Sequence, residues 1–164
     1  MTKLDQIITP VTSPDEARTR LKSLAAEWGP EEFWSLESCI ETLSTQKSLL
    51  SAAAAAPSSQ PDGDCSPYQG WYFAACQGND CELLFIYTSK IHRGLGLGKA
   101  LLQDLIARAG QAGEIASIFL EVRKSNQNAI KLYEHNGFML ISKRPSYYSN
   151  GEDALVYRLD LKKQ

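Results

Sequence analysis

The stretch RGLGLGKALL, residues 93 to 102, sets glycines at 94, 96 and 98 between two periodic runs. Before it lies CELLFIYTS (81–89), aromatic and β-branched; after it, Leu102, Leu105, Ile106 and Ala109 recur at helical spacing. Alternate glycines strip the Cβ atoms from a short piece of backbone, so a phosphate can approach the main chain. Successive N–H groups, with the positive end of the following helix, can then hold its oxygens. A strand, an anion cradle and a helix in succession confine the chain to folds that mix helix with sheet.

The remaining segments extend that pattern. LDQIITP (4–10) is a short apolar run ended by proline. In SPDEA (13–17), Ser13 can cap a helix, Pro14 suits its first turn and Glu16 can reach back, so a helix is expected to about Trp28. Phe33, Leu36, Ile40 and Leu43 predict a second amphipathic helix. SLLSAAAAA (48–56) pits the helix propensity of alanine against a position that suits a strand, and is read as a strand. PSSQPDGDCSPYQ (57–69) reads as an exposed or mobile loop. GWYFAAC (70–76) and CELLFIYTS flank QGND, whose Gly78 and Asn79 suit a hairpin turn.

IASIFLEV (115–122) is expected as a buried strand, and Asn126 as the cap of a helix through Ala129, Ile130 and Tyr133, closed by Asn136 and Gly137. FMLISK (138–143) and DALVYRLDL (153–161) supply two last strands. The order predicts one domain over 1–164 of α/β (α+β mixed) class, with a mixed central sheet of six to seven strands, two N-terminal helices and two later ones.

Composition excludes several partners. A formal net charge of −2 leaves no electrostatic footprint for nucleic acid or for an anionic membrane surface. Cys39, Cys65, Cys76 and Cys81 form no CxxC pair and only His92 and His135 could join them, so no metal is expected. Cys76 and Cys81 are expected to fill the hairpin core. No run approaches the ~18 apolar residues of a membrane span, and a cytoplasmic protein with reduced thiols is expected.

Three phosphate-binding patterns compete for the glycine turn. A Walker A loop needs glycine at 93 and Ser or Thr after Lys99, where Arg93 and Ala100 stand. A dinucleotide fingerprint needs GxGxxG after the first strand of a βαβ unit, whereas this turn reads GxGxG after a hairpin. The third pattern, (Gln/Arg)xxGx(Gly/Ala), is met by Arg93, Gly96 and Gly98 without a gap; it resembles the pyrophosphate loop of the GNAT acetyltransferases. A plain tight turn before a helix is the bland alternative.

The resemblance covers roughly residues 70 to 161. LEVRKSNQNAIKLYEHNGF (120–138) looks like the second cofactor segment of that superfamily, and with YYSNGEDALVYRL (147–159) it is similar to the RimI-type enzymes, which acetylate the N-terminal alanine of a ribosomal protein. The N-terminal half matches poorly, in the polyalanine stretch and at 57–69, where the superfamily builds much of its acceptor site. The resemblance implies transfer of acetyl from acetyl-CoA to an amine, with the N-terminus of a ribosomal protein or other peptide as acceptor. A small-molecule amine, a lysine side chain, or a non-catalytic acetyl-CoA sensor are the alternatives.

By the same resemblance, Arg93, Gly94, Leu95, Gly96, Leu97, Gly98 and Lys99 form the diphosphate loop. The backbone of Ile86, Tyr87 and Thr88 would pair with the pantetheine like an added strand, which implies a splayed sheet. Glu121 would be the general base and Tyr133 the general acid beside the sulfur, with Asn126 on the pantetheine. Structural alternatives stand beside each role: Glu121 as an ion pair with Arg123 or another cation, Tyr133 as core, Asn126 as a cap alone, Lys99 facing solvent, and His92 and His135 as surface residues rather than ligands of cofactor phosphate or proton donors. Tyr147, Tyr148, Glu152 and Asp153 either line the acceptor groove or form a solvated turn. With no cysteine in the matched motifs, direct attack without an acyl-enzyme is expected.

Overall fold

The computed structural model describes residues 6–10, 47–55 and 68–161, together with Asp15 and Glu41, both helical. The two expected N-terminal helices otherwise lie outside the described residues, as does 57–67 of the expected loop. Seven strands form one sheet: β1 (Gln6–Pro10), β2 (Lys47–Ala55), β3 (Tyr68–Gln77), β4 (Asp80–Thr88), β5 (Ser117–Arg123), β6 (Met139–Arg144) and β7 (Ala154–Asp160). Their order is β1-β2-β3-β4-β5-β7-β6, antiparallel throughout except for β4 against β5. Helix α1 (Leu97–Gln111) connects β4 to β5, and α2 (Gln127–His135) follows β5.

The alanine-rich stretch is a strand because it pairs on both sides, Ile8 opposite Ala53 and Ala52 opposite Trp71. Sheet pairing outweighs a helix propensity worth only tenths of a kcal/mol per residue. Pro10 sits on β1, at the edge of the described sheet, where proline is tolerated. Strand β3 begins at Tyr68, so Tyr68 and Gln69 belong to the sheet rather than to the loop expected through 69. The turn between β3 and β4 has the expected two residues, with Gln77 opposite Asp80 and positive φ at Gly78 alone of the pair.

The core lies where α1 packs on β2, β3 and β4. Leu97, Leu101, Leu102, Leu105 and Ala109 face inward from α1 against Tyr72, Ala74, Leu83, Ile118 and Leu120. The fully buried Tyr72 donates its hydroxyl hydrogen to Asp104 at 2.7 Å, so the polar tip carries no desolvation penalty. Cys76 and Cys81 stand opposite each other across the hairpin, both buried in this core.

One irregularity decides where a ligand can enter. Phe73 pairs with Phe85 while Ala74 pairs with Leu83, so Leu84 is an extra residue on β4. Such a bulge bends its strand and increases the local twist. Strands β4 and β5 are paired only from Asp80–Leu83 against Ser117–Leu120, and part beyond Leu83. From 84 to 88, alternate backbone groups of β4 therefore face a gap with no neighbouring strand among the described residues.

Candidate active site

The gap is the mouth of a cleft of about 1120 Å³, somewhat larger than pockets that take drug-sized ligands. One wall is β4 from Leu83 to Thr88, the other the end of β5 at Glu121–Arg123; α2 and the start of α1 close the ends.

The glycine turn supplies the α1 end. Gly94 and Gly96 take φ +79° and +84°, left-handed values that cost a side-chain residue about 1–2 kcal/mol. An added Cβ at either would meet nothing within 4 Å. Gly96 is the N-cap residue and no side chain caps the helix; the first i to i−4 bond, Ala100 N–H to Gly96 O, spans 3.0 Å. The N–H groups of Leu97, Gly98 and Lys99 thus have no intrahelical acceptor and are directed at the helix entrance. Arg93 Nε donates to the carbonyl of Thr88 at 3.1 Å, which fastens the turn to the end of β4. This turn fits a diphosphate: open glycines, orphan donors and a helix dipole converge on one place.

At the opposite end, strand alternation separates the faces of β5. Ile118, Leu120 and Val122 are buried in the core, whereas Phe119, Glu121 and Arg123 lie on the other, half-buried face. Glu121 has its carboxylate 3.0 Å from Arg144 Nε and receives the hydroxyl of Tyr147. The cation beside Glu121 is therefore Arg144 of β6 rather than Arg123. Arg123 lies under the Tyr148 ring and pairs with Glu152 at 3.3 Å.

Tyr133 is reached from α2. Asn126 caps this helix through its Oδ1, which accepts from the Ala129 N–H at 3.2 Å, leaving the carboxamide nitrogen available to the cleft. Tyr133 packs against Phe138 and Tyr157 yet also lines the cleft. Burial pushes its phenol above the ordinary tyrosine range, and Tyr148 adds to the shift, so it remains protonated at neutral pH.

The cleft gathers Ile86, Tyr87, Thr88, Arg93, Gly94, Gly96, Leu97, Gly98, Lys99, Glu121, Asn126, Tyr133 and Tyr148. Leu95 is not among its walls and is exposed. Tyr147 is not among the walls and meets the site through Glu121 and the Tyr148 ring, 5.3 Å away. Glu152 does not join them: it accepts the Ser125 N–H at 2.7 Å and pairs with Arg123, while Asp153 pairs with Lys143 at 2.6 Å. Both carboxylates tie the 145–153 connection to its surroundings.

His92 lines the cleft with Nδ1 2.5 Å from Ser89 Oγ, whereas His135 is exposed and bonded to the Lys131 carbonyl at 2.6 Å. Arg144 escaped the sequence reading; a basic residue just before the tyrosine pair was the only available signal. Asn128 and Leu132 also line the cleft, following from α2 periodicity. Among the described residues no cluster of His, Cys, Asp or Glu could hold a metal ion, and no helix is long and apolar enough to cross a membrane.

Comparison with known proteins bears on this geometry. Residues 63–138 match the acetyltransferase (GNAT) family. The [ribosomal protein bS18]-alanine N-acetyltransferase of Escherichia coli K12 is 44% identical over 86 residues, 51% of this chain and 57% of that protein. An N-alpha-acetyltransferase of Sulfurisphaera tokodaii is 41% identical over 65 residues, 40% of this chain and 39% of that protein. The matches thus span less than two thirds of these curated relatives. The crystal structure of the Escherichia coli ribosomal-protein-S18-alanine N-acetyltransferase superposes with a TM-score of 0.74 at 25% identity, covering 97% of this chain and 96% of that one. Arabidopsis thaliana NAA60 with a bisubstrate analogue shares the fold, with a TM-score of 0.78 at 18% identity.

Proposed function

Because this chain carries a GNAT acetyltransferase domain, we propose that it transfers the acetyl group of acetyl-CoA to an amine, and that the amine is the N-terminus of a protein. The observation that carries the reading is the convergence on one cleft of an open-glycine helix entrance, an unpaired strand edge, Glu121 and Tyr133. Acetyl-CoA, when bound, supplies the activated acetyl group as a thioester.

The chain's own groups then have distinct tasks. The N–H groups at 97–99 hold the diphosphate, the free edge at 84–88 pairs with the pantetheine, and the Asn126 carboxamide nitrogen donates to it. Glu121 takes a proton from the acceptor's ammonium, freeing the lone pair that attacks the acetyl carbon. As the C–S bond breaks, Tyr133 gives its phenolic proton to the sulfur, and the new amide sheds its second proton. The sum releases one proton to solvent, and Glu121 and Tyr133 return to their starting states by exchange. Transfer is direct: no cysteine lines the cleft among the described residues.

Incubation with acetyl-CoA and a panel of alanine-starting peptides, lysine peptides and small amines tests the reading. CoA release with mass added at the peptide α-amine is the expected outcome. Turnover of lysine or small amines alone would overturn the N-terminal assignment, and CoA binding without any turnover would overturn the catalytic one. A bacterial-type ribosomal-protein acceptor and a cytoplasmic setting belong to the same proposal.

A further inference from the structure

Arg144 and Glu121 form an unequal pair. The Glu121 carboxylate is held on a half-buried strand face, 17% exposed, whereas Arg144 projects from the sheet-edge strand β6 and is 56% exposed. The guanidinium reaches across β7 to meet Glu121 at 3.0 Å and lies 5.3 Å from the Tyr147 ring centre. An exposed arginine gains little from such a bond and can leave it readily. While it stays, the charge that would attract an ammonium is already answered, and an incoming cation meets a like charge.

We propose that Arg144 is an exchangeable counter-ion of Glu121, displaced by the ammonium group of the acceptor and released to solvent. The exchange rests on the reading of Glu121 as the base, and makes Arg144 a positioning residue that selects for cationic acceptors. A neutral group cannot replace a guanidinium on a carboxylate; an ammonium can. Solvent lowers the cost of the exchange, because the guanidinium is 56% exposed already, so the two arrangements stay close in free energy and the acceptor decides between them.

The test uses the full chain loaded with CoA, titrated by calorimetry with an alanine-starting hexapeptide and with the same peptide N-acetylated. Arg144→Ala is expected to bind the free-amine peptide about tenfold more tightly with no change for the acetylated one, and in turnover the gain appears in KM rather than kcat. Equal affinities for wild type and Arg144→Ala, or a gain shared by both peptides, would each overturn the exchange. Arg144→Gln, with its melting temperature, provides a second variant should the alanine form fail to fold. The base assignment fails separately, if Glu121→Gln turns over at the parent rate.

Discussion

The guanidinium of Arg123 lies 3.8 Å from the ring centre of Tyr148, beneath the same connection whose Glu152 it binds. This places the last residue of β5 under the 145–153 segment, which is further secured by Lys124 N–H to Asp153 O at 3.2 Å and Ser146 N–H to Asp153 Oδ1 at 3.0 Å. Tyr148 is thereby held at the cleft wall by bonds that none of the reacting groups makes.

Replacing Glu152 by Ala should release that segment. The Ser125 hydroxyl and amide, then Arg123 and Asn150, hold the Glu152 carboxyl below the usual carboxylate range. Its contribution is thus present above the ordinary glutamate pKa and lost as pH falls through the lowered one. Amide exchange at Ser125 and Tyr148 should accelerate in the variant at pH 7, and in the parent only on stronger acidification than an unpaired glutamate would require.

Glu121→Gln and Tyr133→Phe should each lower kcat on the order of a hundredfold, the typical share of a positioned acid or base. CoA affinity should change less than threefold in both, because the diphosphate end of the cleft is untouched. Stopped-assay turnover alongside calorimetry with CoA checks both halves.

Tyr133 also links pH to stability. Its folded pKa is raised by burial, so above pH ~10 the unfolded chain loses this proton first and the folded state is destabilised as pH rises further. Tyr147, which donates to Glu121, is pushed up to about 12 and acts in the same direction. Urea unfolding between pH 9 and 11 should show stability falling above pH ~10, with Tyr133→Phe reducing the slope by at most ~1.4 kcal/mol per pH unit.

Substitutions at the glycines should separate by position. At Gly70 an added Cβ would lie 2.6 Å from the Tyr87 carbonyl oxygen, a backbone atom, so Gly70→Ala should cost about 1–3 kcal/mol in unfolding experiments. At Gly96 the space is open but φ is left-handed, so Gly96→Ala should cost about 1–2 kcal/mol and weaken CoA binding about tenfold. Gly98 is helical, and its Cβ would make ordinary contacts with Leu132 and Thr88 at 3.5 and 3.6 Å. Gly98→Ala should leave stability unchanged or raise it by up to ~1 kcal/mol.

The alternation of strand and helix from 70 to 161 was legible because local periodicity carries it: Leu102, Leu105 and Ala109 mark α1, and Asn126 with Gly137 brackets α2. The extra residue at Leu84 was not, because CELLFIYTS contains no glycine or turn residue to mark a bulge, and it exists only relative to β3. Arg144 and Glu121 are 23 positions apart, and their contact depends on β7 entering the sheet between β5 and β6. That order also leaves Met139, Leu140 and Ile141 exposed on an edge strand that the sequence marks only as apolar. Glu152 leaves two readings open in the sequence, an acceptor groove or a solvated turn, because charge alone carries no information about which hydrogen bonds already occupy a carboxylate.

The offset at Leu84 has a consequence for how tolerant such a cleft is to change. The one-residue offset between β3 and β4 sits where the pairing of β4 with β5 ends, and no small side chain is needed to hold the walls apart. Lining residues can therefore be exchanged widely, to alter what the cleft admits, without the walls closing. Deleting Leu84 would instead remove the offset against β3 and with it the local bend of β4, so the chamber should change shape although Glu121, Tyr133 and the glycine turn are untouched.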